Sequence, residues 1–369
     1  MDMTHKITLP INKAKNMILE IIKIGGMGQS IYLEGPSGIG KSEMIAELAK
    51  ILGADFFDIR LGVLDVLDLN GIGIPLIEER KAIWTRPEIL PEEHTTRPTI
   101  IFLDEFNHAN ETVLGSAYQF VLERKVNTHQ LPKDCLIIGA GNSIDDKGIA
   151  FTIPSPLQNR FIKMNVVSEI DDWLEHAKEK EVDWRTRAFL KTHHELLHNF
   201  KAESSEDNFT TPRSWVKVST FLEADKELFK VVSNGILGFS ASLEFIQFLE
   251  LIKKIPDLEL LMNGDNVIEL NSDLSSSYAF LMLIDSHLKN NIENITVKQI
   301  INLIHYCNKQ EHQEVMQLII FDLIDKVNSN WNSEKQNEIH LFFYKNKNIF
   351  DDNKLFQEKM KSFAKSMKS

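Results

Sequence analysis

A chain of 369 residues, 43% hydrophobic and 25% charged, has the length for two or three folded domains and a composition that is neither disordered nor fibrous. The formal net charge of −12 argues against a generally basic nucleic-acid surface, and two cysteines, Cys135 and Cys307, are too few for a disulfide scaffold or a thiolate zinc site. No run of roughly 18 apolar residues is present to span a membrane, and MDMTHKITLPINKAK lacks the apolar core of a signal peptide, so a cytoplasmic setting is expected.

Up to about residue 166, short β-rich runs alternate with helical patterns. SIYLEG (30–35) reads as a strand and KSEMIAELAKILG (41–53) as a helix with apolar positions 44, 45, 48, 49 and 52. FFDIRL (56–61), TIIFLDE (99–105), CLIIGAG (135–141) and FIKMNV (161–166) are further strands. Most are continuous apolar runs, which predicts a parallel sheet covered by helices on both faces. After Val167 helical patterns take over, through DDWLEHAKEK, DWRTRAFLKTHHELLHNF and PRSWVKVSTFLEADKELFKVV, with no convincing strand. ESSEDN (203–208) reads as a polar loop. The final stretch, with Phe356, Met360, Phe363 and Met367 at helical spacing, reads as a terminal helix with a basic face or a partner-docking helix.

Gly35, Pro36, Ser37, Gly38, Ile39, Gly40, Lys41 and Ser42 satisfy G-x-x-x-x-G-K-[ST] between a strand and an amphipathic helix. Glycines let such a loop wrap phosphate, and successive backbone N–H groups at a helix start face its charge. Lys41 is expected to reach the β- and γ-phosphates and Ser42 to help hold Mg²⁺. The plainer alternative is a glycine-rich turn with a surface lysine. TIIFLDEFNHAN then ends an apolar run on Asp104 and Glu105. Asp104 suits the magnesium shell, and Glu105 suits the activation of an attacking water. Without the phosphate loop the same pair would read as a surface turn. Asn142, at the end of CLIIGAGN, can align that water or act only as a turn former. Arg160, before another predicted strand, can neutralise charge on phosphoryl oxygens or sit in a surface ion pair. Arg213 lies in TPRSW, where Thr211 can cap a helix and Pro212 can occupy its first turn.

The ordered set GPSGIGKS, IIFLDEFNHAN, GAGNS, SPLQNRF and TPRSW resembles the AAA+ ATPases of the MoxR group, over about residues 8–260. The resemblance implies an α/β P-loop NTPase with an αβα nucleotide domain (1–167), a helical lid (168–285) and a helical C-terminal extension (286–369). In its terms Gly35 to Ser42 match Walker A, Asp104 and Glu105 Walker B, Asn142 sensor 1, Arg160 the arginine finger and Arg213 sensor 2. It implies ATP and Mg²⁺ as cofactors, and a ring, commonly a hexamer, in which Arg160 serves a neighbouring subunit. It also implies chaperone-like remodelling of a protein client, often with a von Willebrand A domain, and no membrane partner. Residues 60–91 are similar to that family's insert facing the ring pore, and 122–132 to the hairpin before sensor 1. Two departures stand out: Asn107 is followed by His108 where many members have arginine, and Asn159 precedes Arg160 where many have aspartate.

Three other readings compete, one of them a nucleotide-dependent scaffold with little turnover, against which Glu105 and Arg160 argue because binding alone needs neither. A nucleic-acid-associated AAA+ motor or restriction and defence regulator would use the same ATPase, although no aromatic–basic array marks a binding groove. HELLH, His194 to His198, fits the H-E-x-x-H pattern of zinc proteases if it is helical. No further ligand follows at the spacing of the longer zinc signatures, so HELLH is expected to be a helix segment of the lid.

Overall fold

The apolar runs of the first half assemble into one six-stranded sheet in a computed structural model. The structure describes residues 7–142, 155–199, 209–265, 267–271, 273–310, 313–331 and 333–345. The loop expected at 203–208 and the terminal pattern at 356–367 lie outside them. In chain order the sheet strands are β1 (Thr8–Pro10), β2 (Ser30–Glu34), β3 (Asp55–Arg60), β6 (Thr99–Asp104), β9 (Cys135–Gly141) and β10 (Ile162–Val167). Two hairpins supply the intervening numbers: β4 (Gly73–Leu76) with β5 (Lys81–Trp84), and β7 (Lys125–Val126) with β8 (His129–Gln130). The sheet order is β1-β10-β2-β9-β6-β3, with every pairing parallel.

Period-two alternation sends successive side chains to opposite faces. Ile100 and Phe102 of β6 pack with Ala14 and Ile18 of α1 (Ile11–Gly25) and Met44, Ile45 and Leu48 of α2 (Lys41–Leu52). Ile101 and Leu103 pack instead with Val113, Ala117 and Phe120. These last three belong to a helix, Glu111–Glu123, which follows the short α3 (Val66–Asn70) and is α4. Helices thus cover both faces, as the continuous apolar runs predicted.

Among the described residues after Val167 the regular elements are all helical. They are α6 (Ile170–Glu179), α7 (Trp184–Thr192), α8 (Pro212–Ser219), α9 (Lys226–Leu237), α10 (Phe239–Ile252), α11 (Leu258–Asn263), α12 (Leu274–Asn291), α13 (Val297–Cys307), α14 (Gln313–Asn330) and α15 (Ser333–Lys345); α5 is the single turn Ser155–Gln158 before β10. No helix among the described residues is long and apolar enough to cross a membrane.

The chain forms two compact units. One comprises Met1–His176, Leu196–Val218 and Ile236–Gly238; the other comprises Ala177–Glu195, Ser219–Gly235 and Phe239–Ser369. The second unit has its own apolar core, in which Phe280, Ile284 and Leu288 of α12 meet Ile300, Leu303 and Ile304 of α13 and Ile319 and Leu323 of α14. Also on α12, Asp285 accepts hydrogen bonds from Lys178 (2.7 Å), Lys326 (2.6 Å) and Arg187 (3.2 Å).

One expectation needs correction. HELLH is not an α-helix: α7 stops at Thr192, and only a single 3-10 turn, His194–Leu196, follows. The His193 ring and backbone N–H both engage the Phe189 carbonyl. The indole of Trp215 then takes the Leu196 carbonyl at 2.8 Å, in the interior. The helix thus closes at His193, Leu196 and Leu197 turn into the interior, and the two histidines do not share an α-helical face.

Candidate nucleotide-hydrolysis site

Parallel pairing brings the carboxyl ends of β2, β9 and β6 side by side, and the motif residues sit on those ends. The loop after β2 turns into α2 through Gly40, whose φ of 103° lies where a side chain would be strained. Lys41, the first residue of α2, is buried and folds back over the loop. Its Nζ donates to the carbonyls of Gly35 (2.6 Å) and Pro36 (2.9 Å) and to Asn142 Oδ1 (3.4 Å). An ammonium has three N–H donors, and these acceptors hold it at the loop's mouth.

Ser42 Oγ donates to Asp104 Oδ2 at 2.9 Å. A hydroxyl and a carboxylate in contact, at a helix start beside a phosphate loop, form an oxygen donor set of the kind a hard cation takes, so the residues fit Mg²⁺. Next in the chain, Glu105 occupies the left-handed region, at φ 54°. Such a conformation costs about 1–3 kcal/mol for a residue other than glycine and persists only where neighbours hold it. Here Glu105 N–H bonds Asp104 Oδ1 (2.9 Å), His108 N–H bonds the Glu105 carbonyl (2.9 Å) and Phe106 N–H bonds the Ala140 carbonyl (2.8 Å). The Glu105 carboxylate is exposed and lies over Gly62, where an added Cβ would come within 2.5 Å of Oε2. Nearby, Asp58 of β3 has its carboxyl pushed up by burial first and then by the negative charge of Asp104, with Arg60 opposing.

Asn142 follows β9, the strand between the phosphate-loop strand and the acidic strand, which is why its amide reaches Lys41. Asn107 is a residue that the motif reading passed over. It is 4% exposed, in the unit's interior, and bonds both backbone groups of Asn142. Only its place two residues beyond the acidic pair could have signalled it.

Arg213 opens α8 as expected: Thr211 Oγ1 accepts from Ser214 N–H (3.1 Å) while Ser214 Oγ accepts from Thr211 N–H (2.7 Å), and Pro212 is the first helical residue. This helix start touches the phosphate loop, because Arg213 N–H donates to the Gly38 carbonyl at 3.3 Å, and the Arg213 side chain is exposed there. His198 joins the same loop, its Nε2 lying 3.2 Å from the Ser37 carbonyl.

Arg160 is not brought to this site. The register pairs Ile162 with Ile31, so Arg160 stands near the level of Gln29, at the amino end of the sheet. Gly35 lies six residues further along the strand direction, or roughly 20 Å at about 3.3 Å per residue. Arg160 is exposed and forms no ion pair with a described residue.

A pocket beside α2 is lined by Ile11, Ile39, Met44 and Trp173. At its edge Glu43, Glu47 and His176 are the one group among the described residues whose ligand atoms converge as a metal would need. Glu47 is paired with Lys15 at 3.2 Å, and the histidines of HELLH belong to no such group.

The comparisons with known proteins agree with this geometry at the level of the domain. Residues 31–169 match the family model described as "ATPase family associated with various cellular activities (AAA)". No curated protein matches the chain. Among solved structures, a Cytophaga hutchinsonii protein provisionally assigned as an ATPase is 16% identical, covering 65% of this chain and 95% of that one, with a TM-score of 0.33. The RuvB Holliday junction branch migration motor of Thermotoga maritima is 17% identical, covering 71% and 78%, with a TM-score of 0.39. A proline-to-glycine mutant of that motor is 16% identical, covering 71% and 83%, with a TM-score of 0.40. Likenesses this slight carry no argument about what the chain acts on. The family match over residues 31–169, which span the phosphate loop, the acidic pair and Asn142, makes that segment an AAA-type ATPase domain, the part of the chain that supports ATP hydrolysis.

Proposed function

We propose that this chain is a Mg²⁺-dependent ATPase of the MoxR type, working as a ring, commonly hexameric, that remodels a macromolecular client. The observation that carries the chemistry is the meeting of three strand ends, with Lys41 bonded to Asn142 and Ser42 bonded to Asp104. Lys41 and the loop N–H groups bind the β- and γ-phosphates, and Ser42 and Asp104 hold the metal ion. When bound, Mg²⁺ neutralises charge on the phosphate oxygens. Glu105 accepts a proton from the attacking water as its oxygen bonds to the γ-phosphorus. The bond from that phosphorus to the bridging oxygen breaks, leaving ADP and phosphate. Asn142 orients the water, and Arg213 reads the γ-phosphate from the start of α8. The position of Arg160 at the far end of the sheet supports a role at a neighbouring subunit's site.

A protein client is favoured by the β4–β5 hairpin, where Ile72, Ile74, Ile77 and Ile83 are exposed, Ile77 by 86%. Apolar side chains of this kind suit polypeptide better than phosphodiester. A von Willebrand A domain protein fits that reading. The nucleic-acid motor or defence regulator is open to the same ATPase.

One experiment separates the alternatives. Glu105→Gln is expected to keep ATP binding and to lose about 100-fold or more of steady phosphate release. Unchanged release would mean that the chemistry is misassigned. ATP-loaded Glu105→Gln then serves as a trap. A retained protein partner supports the first client, whereas salt-sensitive DNA binding with DNA-stimulated turnover of the wild type supports the second.

A further inference from the structure

We infer that Asn107 is a positioning residue for hydrolysis, locking the backbone of Asn142 to the turn that carries Glu105 so that the two side chains address one water as a unit. The inference rests on the proposed roles of Glu105 and Asn142 and adds a residue to which no motif assigns a function.

The β6–β9 ladder ends at the pair Leu103–Gly139. Beyond it the strands would be free to part, because the chain after β6 turns into the Asp104–Glu105 corner. Two contacts carry the pairing onward. Phe106 N–H donates to the Ala140 carbonyl at 2.8 Å. The Asn107 side chain then takes the place of a further strand residue: its Nδ2 donates to the Asn142 carbonyl at 2.8 Å and its Oδ1 accepts from Asn142 N–H at 3.2 Å. A primary amide offers a donor and an acceptor at the spacing of a peptide group, so it can satisfy both backbone atoms of one residue. Removing it would leave them without those partners at the interior edge of the sheet.

The surroundings are shaped to keep that amide in place. A Cβ on Gly141 would fall 2.7 Å from Asn107 Oδ1 and 2.0 Å from the Tyr32 hydroxyl oxygen, so glycine leaves the space that the amide fills. On its own turn the charged and titratable neighbours are Asp104, Glu105 and His108, and across from it stand Tyr32 and Lys41. The consequence is mechanical. Glu105 and Asn142 follow different strands, β6 and β9, yet Asn107 ties them through one side chain. A displacement of about 1 Å between water activator and water aligner is enough to cost roughly 100-fold in rate.

The test uses steady-state ATP turnover of the full chain, with nucleotide affinity and melting temperature measured on the same samples. Asn142→Ala comes first: if its kcat equals that of the wild type, the role assigned to Asn142 fails, and the inference falls with it. If Asn142→Ala is slow, Asn107→Ala is expected to lower kcat by roughly 10- to 100-fold with KM for ATP little changed. The double variant should be hardly slower than the slower single one, because both remove one alignment. Fully multiplicative losses, or a parallel loss of binding and melting temperature, would make Asn107 merely structural.

Asn107→Asp supplies a readout that a folding defect does not imitate. Its ionised carboxylate has no proton for the Asn142 carbonyl and repels it, whereas the protonated acid reproduces the donor and acceptor of the amide. Its kcat relative to wild type should therefore climb as pH falls from about 8 to about 5.5, since burial favours the neutral acid. A ratio that stays flat across this range overturns the inference, even if Asn107→Ala does not fold.

Discussion

At the scale of single residues, the candidate site depends on atoms held where their own preferences would not put them. Glu105 keeps a left-handed backbone because three hydrogen bonds fix the corner around it, and its carboxylate rests against the bare backbone of Gly62. Gly62→Ala would place a methyl group 2.5 Å from the present Glu105 Oε2. The nearest atom is the end of a flexible side chain, so the carboxylate gives way and the fold does not. We expect kcat to drop by about tenfold with an unchanged melting temperature, measured by phosphate release and thermal denaturation. A variant as fast as wild type would show that the observed carboxylate position is not the working one. Lys41, Ser42, Asp104 and Glu105 were legible in the sequence because each motif couples a residue type to a strand end or helix start. Asn107 was not, because its partner lies 35 residues away, just past another strand.

At the scale of elements, the helical unit is tied by one buried carboxylate. Burial works against the charge of Asp285, but hydrogen bonds from Lys178 and Lys326, reinforced by their charges, outweigh it and hold its pKa at about 2. Arg187 adds a third contact from α7. A carboxyl whose folded pKa lies below its unfolded value stabilises the native state at high pH. That contribution, about 2 kcal/mol, is complete above about pH 4 and is lost as the pH falls toward 2. Asp285→Asn should flatten this part of the stability profile. At neutral pH it should cost about 3 kcal/mol, by leaving the buried Arg187 unpaired. Denaturant melts of both forms between about pH 2 and 7 check the sign; an equal acid dependence in the two would exclude Asp285 as its source. Helical periodicity announced α7, but not that its Arg187 faces Asp285 of α12, since 98 residues separate them. HELLH is the opposite case: a local pattern suggested a helix, and the chain instead leaves the helix at His193, with the Leu196 carbonyl taken by the distant Trp215 indole.

At the scale of the whole molecule, the proposed ring is tested at Arg160. Parallel pairing of β10 with β2 sets Arg160 at the sheet end opposite its own phosphate loop, so the role proposed for it lies at another subunit's site. Arg160→Ala and Glu105→Gln should each be nearly inactive, the first by roughly 1000-fold. Mixed together they should regain turnover, because a mixed interface joins an intact Glu105 from one subunit to an intact Arg160 from its neighbour. No recovery on mixing, with ring formation verified by sedimentation, would remove the arginine from the reaction.

The sequence by itself determined the chemistry and the layers. A phosphate loop needs glycine, lysine and serine in one short run, and apolar runs buried on both faces need helices on both sides, so each was written locally. Only the tertiary structure decided how these parts meet. Strand order is set by which apolar faces pack together across long stretches of chain, and it inserts β9 between β2 and β6. That insertion places Asn142 against Lys41 and lets Asn107 bridge the acidic corner to Asn142, while the β10–β2 register leaves Arg160 at the amino end of the sheet.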